Sequence, residues 1–163
     1  MEVKEDLRHI SLVKIYTHTA IESSLNSVMD HGLSQLSTLH MEEINISLKH
    51  FQKIVAECAK MASLNSVKFI KMSGVADSMR QICKAFAKHK HIRELSLANN
   101  QIKNYQDLPI LMKKNSSITR LDIDRNPIGS KAMMVIWMGM HLNVSIVDLV
   151  YSASRSFFDL KTI

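Results

Sequence analysis

Five segments of this chain repeat one spacing, and that spacing leaves little freedom about the fold. The clearest copy is "IRELSLANNQI" at residues 92–102, where Ile92, Leu95, Leu97, Asn100 and Ile102 fall on the pattern L-x-x-L-x-L-x-x-N-x-I. A strand alternates with period two and a helix repeats about every 3.6 residues, so neither alone writes this pattern. The frame returns as "ITRLDIDRNPI", with Ile118, Leu121, Ile123, Asn126 and Ile128. Looser copies carry Leu64, Val67 and Phe69 with Met72 in the asparagine slot, and Leu36, Leu39 and Met41 with Ile44 in the slot and Ile46 closing. A last copy has Ile146, Leu149 and Tyr151, with Ser154 in the slot. The first positions are 36, 64, 92, 118 and 146, so the steps are 28, 28, 26 and 28. Such a period marks stacked units, none of which can bury its apolar face alone.

Helical stripes lie between these strands. Phe51, Ile54, Val55, Cys58, Met61 and Ala62 form the first, with Ser47 as its N-cap. Met79, Ile82, Cys83 and Phe86 follow Asp77. Leu108, Leu111 and Met112 make a third stripe, with Pro109 tolerable only in the first turn. The fourth holds Ala132, Met133, Ile136, Trp137 and Met140, after Gly129 and Ser130. The expected fold is therefore α/β: a right-handed solenoid of about five β-α repeats over residues 36–156, with a parallel sheet on the concave side and helices on the convex side. Open ends of such a stack need caps. Residues 1–35 are expected to supply a helical cap, with Thr19 and Glu22 as a capping box, Ile21, Leu25 and Val28 as its stripe and Gly32 as its stop. Residues 157–163, with Phe157, Phe158 and Leu160, are expected to cap the other end.

The 163 residues suit one folded domain, with 46% hydrophobic and 22% charged residues. Net charge is +6 and the basic residues are spread out, the densest cluster being "KHKHIR" at 88–93. Cys58 and Cys83 fall in helical stripes, which predicts buried reduced thiols rather than a disulfide framework. The first residues carry charges where a signal peptide needs an apolar run, and no window of about 18 apolar residues exists. The sequons at Asn45, Asn115 and Asn143 then read as turn chemistry, and the expected compartment is the reducing cytoplasm.

Catalytic patterns are missing: there is no G-x-S-x-G, glycine-rich phosphate loop, H-E-x-x-H or C-x-x-C, and only four glycines occur. His89 and His91 read as a solvated turn rather than a chelating pair. No enzyme activity, cofactor, metal or small-molecule substrate is expected, and no membrane.

Function is expected on the residues interleaved with the apolar frame. Their first row is Thr38, Ser66, Glu94, Arg120 and Asp148; the second is His40, Lys68, Ser96, Asp122 and Val150; the third is Glu42, Ile70, Ala98, Asp124 and Ser152. Glu94, Asp122, Asp124 and Asp148 make one end of this sheet acidic, with Arg120 alone opposing. A protein partner is expected at Glu94, Ser96, Arg120, Asp122, Asp124 and Asp148, because such a face steers basic protein surfaces and repels nucleic acid. The helical side holds Arg80, Lys84, Lys88, Lys103, Lys113, Lys114 and Lys131. Nucleic-acid binding there is a weaker alternative, with Tyr105 as the main stacking candidate.

The frame, the 28-residue period and the full helices resemble the ribonuclease-inhibitor class of leucine-rich repeats over residues 36–156. Within that class, "SLANNQI" and "LDIDRNPIG", in five short repeats of which the first two lack the asparagine, look most like the C-terminal domain of the tropomodulin and leiomodin family. That resemblance implies a non-enzymatic interaction module that binds actin at filament pointed ends and is associated with the cytoskeleton. Another cytosolic or ciliary scaffold is the alternative it leaves. Tropomodulins precede this domain with a long tropomyosin-binding segment, whereas about 35 residues precede the first frame here, so no tropomyosin contact is implied.

Overall fold

The computed structural model describes residues 8–14 and 35–152. They form an α/β fold around a six-stranded, all-parallel sheet whose strands lie side by side in chain order. The strands are β1 (His9–Val13), β2 (Thr38–Glu42), β3 (Ser66–Ile70), β4 (Glu94–Ser96), β5 (Arg120–Asp122) and β6 (Asp148–Val150). The helices are α1 (Leu48–Cys58), α2 (Met79–Phe86, entered through a 3-10 turn at Ala76–Ser78), α3 (Leu108–Lys114) and α4 (Ser130–Leu142).

The register follows the sequence period residue for residue. Thr38 pairs with Ser66, Ser66 with Glu94, Glu94 with Arg120, and Arg120 with Asp148. Leu39, Met41, Val67, Phe69, Leu95 and Leu121 are buried together with Phe51, Val55, Cys58, Ile82 and Phe86, so the helices share one face of the sheet. Direct contact is visible where Phe51 of α1 meets Phe69 of β3 edge-on, ring centroids 5.0 Å apart. Ser47 caps α1 by accepting the His50 N–H, and Pro109 sits in the first turn of α3. Helix α1 ends at Cys58, leaving Met61 and Ala62 outside it.

Two kinds of column tie neighbouring strands at their ends. Each of the first five strands is left through a residue in the left-handed region that is not glycine: Lys14, Glu43, Lys71, Asn99 and Arg125, with φ of 51–58°. Such backbone costs roughly 1–2 kcal/mol per residue. It is held because the N–H groups of Lys14, Glu43, Lys71 and Asn99 extend the ladder, donating to the carbonyls of Glu42, Ile70, Ala98 and Asp124. Beyond it, Asn126 Oδ1 accepts the N–H groups of Asn100 (2.9 Å) and Ile102 (3.1 Å), and Asn100 Oδ1 accepts that of Met72 (2.7 Å). Their amide nitrogens donate to Leu97 and Phe69 carbonyls. Both asparagines thus bond the turn before their own, and Asn126 also donates to the Ile123 and Asp124 carbonyls of its own turn.

Strand β1 corrects the expectation that residues 1–35 serve only as a helical cap, and it brings the strand count to six. The proposed helix around Thr19 to Gly32 and the C-terminal cap at 157–163 lie outside the described residues. Trp137, expected within the buried stripe of α4, is instead 68% exposed; Ile136 and Gly139 are what α4 buries. At Gly139 a Cβ would press on the Met112 sulfur of α3, so any side chain there requires the buried Met112 to shift.

Candidate protein-binding face of the sheet

The rows of interleaved residues do run across the sheet on the side away from the helices, because parallel pairing at matched register stacks equal positions. Across β3 to β6 they are joined by ion pairs. Lys68 Nζ lies 3.0 Å from Glu94 Oε1, Arg120 Nε lies 3.6 Å from the same oxygen, and Arg120 also pairs with Asp148. Ser66 donates to Glu94 Oε2 at 2.8 Å. One row down, Ser96 Oγ donates to Asp122 Oδ2 at 2.8 Å, while Asp122 Oδ1 accepts the Asp124 N–H at 3.0 Å. Asp124 faces Arg125 Nε at 3.6 Å. At the other end, His40 Nε2 and Glu42 lie 3.3 Å apart.

All six expected residues therefore fall on connected rows, with two corrections. Arg120 does not oppose the carboxylates alone, because Lys68 on the neighbouring strand shares Glu94 with it. Ser96 is 2% exposed and cannot meet a partner; it orients the Asp122 carboxylate from below. Ser66 and Lys68, placed in the rows by their spacing but not among the expected partner-binding residues, belong to the network: Ser66 stands 28 residues before Glu94 and Lys68 28 before Ser96, each in register with it. Burial pushes the Glu94 carboxyl up, but the Ser66 and Lys68 hydrogen bonds and the Lys68 and Arg120 charges outweigh it, and its pKa ends below the ordinary value. Each exposed pair contributes at most about 1 kcal/mol, so the network fixes where charges point more than it stabilises the fold.

The other titratable groups have structural settings. Cys58 and Cys83 are free and buried, and burial pushes both thiols up to about 12, far from thiolate chemistry at neutral pH. His89 is not in a solvated turn: it is 8% exposed, its Nδ1 accepts the N–H groups of His91 and Ile92, and its Nε2 donates to the Met61 carbonyl. No group of three His, Cys, Asp or Glu residues fit to hold a metal occurs among the described residues. Asn115 and Asn143 engage turn backbone, as turn chemistry predicts. Tyr105 is 2% exposed, which removes the aromatic expected to stack bases on the helical side. No helix among the described residues is long and apolar enough to cross a membrane.

Comparison with known proteins adds no relative to this description: no family model matches the chain, and no curated protein matches it significantly.

Proposed function

We propose that the chain is a leucine-rich-repeat solenoid of the ribonuclease-inhibitor type, acting as a non-enzymatic protein-interaction module whose partner is the pointed end of an actin filament. The repeat reading is supported by the one-to-one match between the 26–28-residue sequence period and the strand register. The interaction reading is carried by one observation. Lys68, Glu94, Arg120 and Asp148 form a chain of alternating charges across four adjacent strands, held in place but partly open to solvent. Groups fixed in this way lose little side-chain freedom on binding, which favours recognition of a complementary charged protein surface. The actin assignment rests on the resemblance of "SLANNQI" and "LDIDRNPIG" to the tropomodulin family.

Elongation of pyrene-labelled actin from seeds capped at their barbed ends tests it directly. Slowed pointed-end growth at micromolar chain, lost in Arg120→Glu, is the expected result. Unchanged growth, together with no cosedimentation with filaments, overturns the actin assignment.

A further inference from the structure

We propose that the end of the stack formed by α4 and β6 is a twofold self-association surface, on which a second copy of this chain docks. Helix α4 is unlike α1 and α2. Those bury one apolar face and turn polar residues to solvent, whereas α4 is apolar all round, the pattern of a helix covered on both sides. Its inner side buries Ile136 and Gly139, the latter against Met112 of α3. Its outer side leaves Met134 (68%), Trp137 (68%), Met138 (61%) and Leu142 (53%) open, and in the link from α4 to β6 Val144 and Val147 are 90% and 85% exposed. Trp137 and Met140 also edge a groove shared with Leu149 and Tyr151.

The size of this patch argues for a protein-sized occupant. Of these side chains only Trp137 is aromatic, a kind that presents roughly 150–250 Å² when fully open, and the aliphatic ones present less. All six at these exposures offer several hundred Å², which approaches the about 800 Å² per partner of a standard interface. A free patch of that size is unusual on a monomer. Among the described residues, strand β6 pairs only with β5 and is the last strand of the sheet on this side.

Charge and symmetry favour a second copy in one arrangement. The patch has no charged residue at its centre; Lys131 and His141 stand near opposite ends of α4. The thirteen residues of α4 span about 20 Å. A twofold axis normal to the helix lays two copies of α4 antiparallel, so the two Lys131 side chains lie far apart. Each then sits beside the C-terminal turn of the other helix, where a cation is favoured. A twofold contact needs only this one patch. Head-to-tail stacking of β6 on β1 would instead need a matching apolar patch at the β1 end, where Val13 and Leu48 are the only large exposed hydrophobics among the described residues.

Trp137 is the sole tryptophan, so it reports on this face directly. Sedimentation of the full chain over a wide concentration range should give twice the 18.5 kDa mass at the upper end. Trp137 emission should be blue-shifted there and move to the red on dilution. Met138→Lys and Val147→Lys alter exposed residues, so the fold should survive by circular dichroism while the dissociation constant rises about tenfold or more. A monomer with solvent-like Trp137 emission at every concentration overturns the proposal. So does a monomer with shielded Trp137, which would mean that residues 153–163 cover the face. A dimer indifferent to both substitutions also overturns it, by placing the contact elsewhere.

Discussion

Asn115 Nδ2 donates to the carbonyl of His89 at 2.9 Å, and the two side chains do the same work in successive turns. Asn115 Oδ1 accepts the N–H groups of Ser117 and Ile118, and its amide also donates to Phe86. Asn143 repeats this with Ser145, Ile146 and Met112 one turn later. His89 does it with His91, Ile92 and Met61, using Nδ1 as acceptor and Nε2–H as donor. A histidine thus fills an asparagine position, and only its neutral form can do so, because protonated Nδ1 would point a proton at two N–H donors. Burial, with a smaller contribution from the neighbouring His91, lowers the His89 pKa despite the Met61 bond that favours the cation. Among the described residues, the titratable ring packed near it is that of His91, centroids 6.2 Å apart.

A base with a lowered folded pKa gives stability that is full above its unfolded value and declines as pH falls below about 6.5. Denaturation midpoints of the chain should therefore drop as pH falls from neutrality toward the lower folded pKa. His89→Asn should flatten that decline while keeping the turn, and His89→Ala should cost about 1–3 kcal/mol at neutral pH by stranding the buried Ile92 N–H and the part-buried His91 N–H. A wild-type acid limb unchanged in His89→Asn would refute the assignment.

The asparagine ladder after the strands predicts unequal costs. Asn126 Oδ1 serves two buried N–H groups, those of Asn100 and Ile102, whereas Asn100 Oδ1 serves that of Met72. Asn126→Leu should destabilise by about 3–5 kcal/mol and Asn100→Leu by about 1–2 kcal/mol less, read from urea unfolding with unchanged slope. Equal losses would argue against the ladder as the unit of stability.

How much of this was legible depended on the kind of information each residue carries. The steps of 28, 28, 26 and 28 fixed which residues stack across β2 to β6, since a parallel sheet built of repeats has no freedom of register once the period is known. Period-two alternation, however, gives the side of a residue and not its depth. Ser96 is on the expected side but lies beneath the longer Lys68 and Asp122 chains beside it. Strand β1 was not expected although Leu7, Ile10 and Leu12 open the same frame 29 residues before Leu36, with Ile15 in the slot that Ile44 fills in the next copy. Trp137 was misplaced because a stripe argument assumes a neighbour on each side, and α4 has a helical neighbour only in α3 among the described residues. His89 was misread because its position, 26 residues before Asn115, was judged by residue type rather than by place in the repeat.

The left-handed column offers a test through the unfolded and folded states together. Arg125 has φ 53° and is largely exposed. Arg125→Gly removes the strain while loosening the unfolded chain, so the net change should lie between zero and about 1 kcal/mol of stabilisation. Arg125→Val adds a β-branched side chain in a region it avoids and should cost about 1–2 kcal/mol or more. The spread between the two variants, measured by thermal unfolding, separates backbone strain from loss of the Asp124 pair, which both lack.

The sheet-face network makes a last prediction, about Glu94. Burial raises its pKa, and the Ser66 bond, the Lys68 bond and charge, and the Arg120 charge lower it in that order of importance. Lys68→Gln should therefore raise the Glu94 pKa more than Arg120→Gln does, as followed by NMR titration of the side-chain carboxyl. A carboxylate with a lowered folded pKa adds stability above its unfolded value near 4.3 and loses it as pH falls through the folded pKa, so both variants should shrink the drop in stability over that acid range. At neutral pH both should change stability by no more than about 1 kcal/mol, because the cations are partly exposed. Binding should respond differently. Arg120 is the more exposed cation and pairs outward to Asp148, so Arg120→Gln should weaken a partner on this face more than Lys68→Gln. If the two variants weaken binding in the order of their effect on Glu94 instead, the carboxylate rather than Arg120 is the group the partner reads.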